Sequence, residues 1–380
     1  MNPDTRRRSK PRRRTAGRLA AALVLAGVAA GPAGAEIVIG VAGPLSGDFA
    51  VLGEEMRAGA ALAVDHINRR GGIGGEPLRL EAMDDRCDAN TGDAVANQLA
   101  GKGAVVVVGH LCLGPSIAAS SVYASNRIVQ ISPGTTFPKF TDERPGPGIF
   151  RLSGRDDDQG RVAGAFLAAH FADRAVAIVD DRSDYGRALA DGARGAMNAA
   201  GKREVLTASL DPDNPGYAEL VSRLKAAGID ALFFGGYHGV AGTVVRLMRE
   251  QGATATFVSG DALATEEYWR LAGEAGQGTL MTFPPDWRET PAASEAVAAF
   301  RAAGTEPEGY VLPSYAAVEL WAAAAVAAGA TDMDAVAAAL AERAFPTVLG
   351  EVSFDPKGDA RLAGFAVYEW RDGRFAMLAE

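Results

Sequence analysis

Cysteine and histidine are scarce in this chain, and the common catalytic signatures are missing. It has two cysteines and four histidines in 380 residues. His110 is the only histidine near a cysteine in sequence and no ligand cluster accompanies it, so the pattern gives no metal site. There is no Walker loop and no Gly-x-Ser-x-Gly elbow. Gly72-Ile73-Gly74 precedes a strand-like run instead of following one, so it reads as a turn and not as a dinucleotide loop. His66, His110, His170 and His238 are scattered over different elements, and a satisfied structural role is expected for each. Asp84-Asp85 and Asp180-Asp181 sit at strand ends. Adjacent side chains on extended backbone point opposite ways, so these acids are expected to cap helices and brace loops. No cofactor and no catalytic activity are expected. Beyond the first 35 residues no segment is expected to reach the ~20 apolar residues of a membrane span. Solenoid repeats, low-complexity tracts and long polar linkers are also lacking.

The N-terminus is rich in one charge. Residues 1–35 carry eight basic side chains and one acid, then an apolar run over 19–30 and the small triplet Ala33-Gly34-Ala35. That order reads as a secretory signal peptide cleaved after Ala35. Its loss removes a net +7 and takes the chain from −9 to −16, which disfavours nucleic acid and anionic membranes as partners. With no cysteine directly after the cleavage site, a free extracytoplasmic protein is expected. In such a compartment Cys87 and Cys112 are more readily bridged than free, though two buried thiols stay open on spacing alone.

The remaining 345 or so residues exceed what one core usually supports, so two domains are expected. Short β-branched runs alternate with amphipathic stretches. Strands at 37–41, 78–82 and 104–108 and helices over 56–67 and 91–101 make a first α/β series. A second begins near residue 156, with strands at 175–179, 204–207, 231–234 and 256–258 and helices over 184–200, 214–227 and 239–251. After a strand at 278–283 come helices over 291–303, 313–328 and 332–343, then strands at 348–354, 364–370 and 374–378. The expected fold class is α/β, two doubly wound Rossmann-like lobes with a cleft between them.

The loops after the strands carry binding chemistry. Ser46, Ser132, Gly134, Thr135 and Thr136 offer hydroxyls and flexible backbone suited to a carboxylate. Leu113 opens a helix directly after a buried strand, which presents free N–H groups and a positive dipole end. Tyr185, Tyr237 and Asp261 each follow a strand of the second series. The aromatics suit closure over a zwitterion, and the carboxylate suits an ammonium.

The same residues carry a family likeness. Gly43-Pro44-Leu45-Ser46-Gly47, Asp84-Asp85-Arg86-Cys87-Asp88, Gly109-His110-Leu111-Cys112, Ile131-Ser132-Pro133-Gly134-Thr135-Thr136, Asp184-Tyr185-Gly186, Gly235-Gly236-Tyr237 and Ser314-Tyr315-Ala316-Ala317-Val318 occur in order. Over nearly its whole mature length the chain resembles the periplasmic leucine/isoleucine/valine-binding proteins of ABC transporters. The resemblance implies the type I periplasmic binding fold with a three-crossing hinge. It divides the chain into 36–154 with 284–356, and 155–283 with 357–380. It implies a Cys87–Cys112 disulfide, a small-molecule ligand, an inner-membrane ABC permease as partner, a periplasmic location and a monomer. The ligand carboxylate would meet Thr136 and the backbone at Gly134, and the ammonium Asp261. Tyr185 and Tyr237 would close over it, and Tyr310 would line the side-chain pocket. Two positions depart from the family: Leu113 replaces a carboxylate-binding serine, and Leu52 replaces a large aromatic of the pocket wall. Both leave open an amide, urea or aromatic acid as ligand, and a sensory role stays open beside transport.

Overall fold

The computed structural model describes residues 36–211 and 216–378. The proposed signal segment, and the start of the helix expected from residue 214, lie outside these residues. The first sheet holds β1 (Ile37–Gly43), β2 (Leu78–Asp84), β3 (Ala104–Gly109), β4 (Val129–Ser132) and β5 (Ile149–Arg151), in the parallel order β2-β1-β3-β4-β5. Its connections are α1 (Ala50–Arg69), α2 (Ala89–Gly101), α3 (Leu113–Ser125) and the single turn α4 (Lys139–Asp142). β1 is buried at every position, because Ile39 lies between Leu80 on one side and Val106 on the other, and helices cover both faces.

The chain then runs through α5 (Asp156–His170), β6 (Val176–Asp180), α6 (Asp184–Ala199), β7 (Leu206–Ser209), α7 (Tyr217–Ala226), β8 (Ala231–Gly235), α8 (His238–Glu250), β9 (Thr256–Ser259), α9 (Glu266–Ala272) and β10 (Leu280–Phe283). Next come α10 (Ser294–Ala302), α11 (Val311–Ala328), α12 (Met333–Glu342), β11 (Phe345–Thr347), β12 (Gly350–Val352), β13 (Ala366–Arg371) and β14 (Arg374–Met377). The second sheet has the order β14-β13-β10-β9-β8-β6-β7, parallel from β7 to β10 and antiparallel from β10 to β14. α11 and α12 return to the first sheet, where Trp321, Val318 and Leu340 join its core. Trp370, Phe234 and Met248 anchor a separate core around the second sheet.

Three expectations need correction. β4 and β5 did not stand out in the sequence, being four and three residues long, and Gln130 interrupts the apolar pattern of β4. Burial of Gln130 is met by its side-chain amide donating to the Gly109 carbonyl at 3.0 Å. The strand expected over 348–354 is a hairpin of β11 with β12, which turns at Val348-Leu349. One helix, Val311–Ala328, is apolar and long enough to cross a membrane, contrary to the expectation of none. Two-thirds of it is buried in the protein.

Each sheet reverses its winding beside its first strand, between β1 and β3 in one and between β6 and β8 in the other. Loops at the carboxyl ends of strands diverge at such points and leave a crevice. The stretches 109–113, 132–137, 181–185, 236–237 and 260–261 all leave strands at these ends.

Candidate functional site

Cys87 and Cys112 are joined in a disulfide with Cα atoms 5.3 Å apart. Cys112 precedes α3, whose leading N–H groups have no side-chain cap, and Leu113 at its first position lines the crevice. Beside them Gly134 allows a close approach that no other residue permits. A Cβ there would lie 2.3 Å from Leu111 Cδ1 and 2.9 Å from Tyr310 Cε1.

Leu113, Gly134, Thr136, Tyr185, Tyr237 and Tyr310 line one enclosed chamber of about 20 Å³. Asp261 is buried at its edge and is held from three sides. The Tyr185 hydroxyl and Gln159 Nε2 donate to its Oδ1 at 2.8 and 2.9 Å, and the Tyr310 hydroxyl donates to Oδ2 at 3.4 Å. Gly260 makes the first of these contacts fit, since a Cβ there would meet the Tyr185 oxygen at 2.4 Å. Burial raises the Asp261 carboxyl above the usual range, and these hydrogen bonds act against the rise. Both tyrosines are pushed well up by burial and then by the charge of Asp261, so they stay protonated donors. The ring of Tyr237 lies 4.4 Å from Phe49 and 5.1 Å from Tyr185, closing the chamber towards an open cleft of about 800 Å³.

Two expected site residues lie elsewhere. The Thr135 hydroxyl donates to the carbonyls of His110 and Leu111 and contacts Ser116, so it braces the loop and does not line the chamber. Leu52 is 1 % exposed within the first core. Ser132 is likewise committed, donating to the His110 carbonyl at 2.7 Å, and Ser46 contacts Asp84. His110 is buried between Asp85 at 2.6 Å and Tyr123 at 3.0 Å, a closed network of structural type. Asp181 accepts from the backbone of Ser183 and Tyr237, as expected of a loop-bracing acid.

Asp156 is the residue that sequence reading missed. It lines the chamber, is 3 % exposed, and neither carboxylate oxygen has a hydrogen-bond partner among the described residues. Its backbone N–H donates to the Thr136 carbonyl at 2.9 Å. Burial raises its carboxyl to about 7, the charge of Asp261 adds to this, and the nearby Thr136 hydroxyl opposes it without closing a hydrogen bond. In the sequence, Asp156-Asp157-Asp158 looks like an ordinary acidic helix start. Only the fold separates the buried first acid from the two exposed ones.

A second acidic group flanks the cleft. Glu55 of α1 accepts the Tyr310 N–H at 3.1 Å, next to Thr265 and Glu266 of the α9 start and to Glu308. Burial raises Glu55 to about 8, and Glu308 and Glu266 add to the rise. A carboxyl raised on folding stabilises fully below its unfolded pKa and loses that contribution as pH climbs through the folded value. Glu55→Gln is therefore expected to gain about 1–2 kcal/mol over the parent between pH 5 and pH 9, a fraction of the full linkage because Glu55 retains some solvent access. Urea unfolding at both pH values measures this, and equal differences would remove the role assigned to Glu55.

Residues 36–374 match the family model described as periplasmic binding protein. The chain belongs to the periplasmic binding protein family. A Leu/Ile/Val-binding protein homolog 1 of Brucella melitensis biotype 1 is 42% identical over 90% of this chain and 92% of its own. An amino acid binding protein of Pseudomonas aeruginosa is 43% identical over 90% of this chain and 93% of its own. Among solved structures, the branched-chain amino acid transporter substrate-binding protein of Streptococcus pneumoniae in complex with isoleucine superposes with a TM-score of 0.81. It is 25% identical, over 90% of this chain and 98% of that one. A parallel sheet and a mixed, mainly parallel sheet with crevice loops at their strand ends are the type I fold of this family.

Proposed function

We propose that this family member is a periplasmic receptor that captures an amino acid in the cleft and delivers it to an inner-membrane ABC permease. One observation carries the amino-acid reading. Asp156 lines a chamber whose lining has no lysine or arginine, Asp261 is buried at its edge, and neither oxygen of Asp156 has a hydrogen-bond partner among the described residues. A ligand ammonium supplies the missing N–H donors and adds positive charge to that of the nearby buried Arg151. The α3 first turn, the Gly134 backbone and the Thr136 hydroxyl would take the carboxylate, with Leu113 contributing its N–H in place of a hydroxyl. The relatives named for leucine, isoleucine and valine favour the branched-chain class. Export after loss of residues 1–35, and action as a monomer, complete the reading.

We assign the lobes as 36–154 with 284–362, and 155–283 with 366–378, closing about the hinge on the ligand. The third crossing is placed at 363–365, later than the sequence-based 356. Asp359 is held by Arg151, and Ala360 and Leu362 pack on the first core.

The ammonium reading sets the pH dependence. Free Asp156 titrates near 7, and a bound ammonium lowers that value, so binding releases a proton near neutrality. Affinity for leucine should be highest near pH 8, where Asp156 is ionised and the ligand ammonium is still charged, and fall by up to about tenfold per pH unit as pH drops below 7. Calorimetry from pH 8 to pH 5 reads this directly. An affinity that rises on acidification would contradict the role given to Asp156.

A further inference from the structure

The chamber that holds the charged groups is small. Its ~20 Å³ is room for about one water. On the hinge side of Asp261 and Tyr310 lies a second chamber of about 510 Å³, walled by the same carboxylate and the same phenol. Small-molecule sites typically occupy roughly 300–1,000 Å³. More of its surface is apolar than polar, and Leu152, Val162, Phe283, Trp287, Leu349 and Phe365 are among its lining residues. Three arginines stand beside these groups: Arg155 pairs with Asp142, Asp157 and Asp359, Arg161 pairs with Asp158, and Arg361 is solvent-exposed. The space therefore suits an apolar body. The Tyr310 hydroxyl, at 3.4 Å, makes the longest of the three hydrogen bonds to Asp261 and is the one a ligand ammonium most readily replaces. Displacing it frees the ring that separates the two chambers.

We propose that the ligand side chain enters the hinge-side chamber while its ammonium stays at Asp261 and Asp156, so that the site favours amino acids with a large apolar side chain, aromatic ones included, over small ones. This rests on the amino-acid reading of the site. Filling a pocket with an apolar group of the right size favours binding through the area removed from water.

Calorimetry on the full mature chain with L-alanine, L-leucine and L-phenylalanine tests it, before and after Val162→Trp. Val162 is only partly buried on α5, and Ala363→Trp, on the exposed crossing, fills the same chamber if the first variant does not fold. The parent is expected to bind phenylalanine at least tenfold more tightly than alanine, and the filled variant to shrink that ratio at least fivefold. Alanine bound as tightly as phenylalanine, or a ratio unmoved by a folded filling variant, overturns the proposal. If alanine and leucine bind but phenylalanine does not, this proposal alone fails. If no amino acid binds, the amino-acid reading fails with it.

Discussion

Asp261→Ala is expected to weaken amino-acid binding about 10- to 100-fold, the range of one charge-assisted hydrogen bond. The variant removes a carboxylate buried at the edge of the chamber and leaves the Tyr185 hydroxyl and the Gln159 amide, 2.8 and 2.9 Å away, without their shared acceptor. Part of the effect on stability would come from those orphaned donors, so Asp261→Asn is the control. It keeps an acceptor for Tyr185 and Gln159 but no charge for the ligand. Calorimetry with leucine should place Asn between the parent and Ala. Unchanged affinity in both variants would remove Asp261 from the ligand site.

Asp359→Ala is expected to destabilise the protein by about 3–5 kcal/mol, because it strands a buried cation. Arg151 on β5 has a fully buried side chain. Its Nε and Nη2 donate to Asp359 Oδ1 at 2.8 and 2.7 Å, and Nη1 donates to the Phe137 carbonyl at 2.7 Å. Arg155, just before α5, reaches Asp359 Oδ2 at 3.0 Å. One carboxylate thus ties the 355–360 turn to β5 and to the residue just before α5. Desolvation pulls the Arg151 pKa down, while Asp359 and, to a smaller extent, Asp156 hold it up, so loss of Asp359 leaves the penalty largely unopposed. Arg151→Met with Asp359→Leu should recover most of the loss, since an apolar pair of similar volume carries no charge to desolvate. Guanidinium unfolding measures both. A loss below about 1 kcal/mol for Asp359→Ala would show that water or another group serves Arg151.

The architecture was legible because parallel strands buried on both faces leave continuous apolar runs, as at Val105-Val106-Val107-Val108 and Ala231-Leu232-Phe233-Phe234. Loop position was legible too, since Tyr185, Tyr237 and Asp261 each follow such a run. β4 was hidden by its length and by a buried glutamine whose partner is a carbonyl from another strand. The site was only half legible. Thr135 and Thr136 are neighbours of the same chemistry, yet one hydroxyl is consumed by the 110–111 backbone and the other faces Asp156. Local sequence holds no sign of which is which. Asp156 was missed for the matching reason. Three acids in a row at a helix start are ordinary dipole partners, and burial of the first depends on the opposite lobe.

Two buried carboxylates in the cleft, Asp156 and Asp261, are proposed to hold the ammonium of an amino acid. A thermal-shift panel tests this most directly, because a ligand that binds only the native state raises the melting temperature. The panel should pair leucine, valine and phenylalanine with 4-methylpentanoate (leucine without its amino group), simple amides, urea and aromatic acids. The account predicts stabilisation by amino acids and none by 4-methylpentanoate at equal concentration. Stabilisation by amides or aromatic acids with none by any amino acid would contradict it.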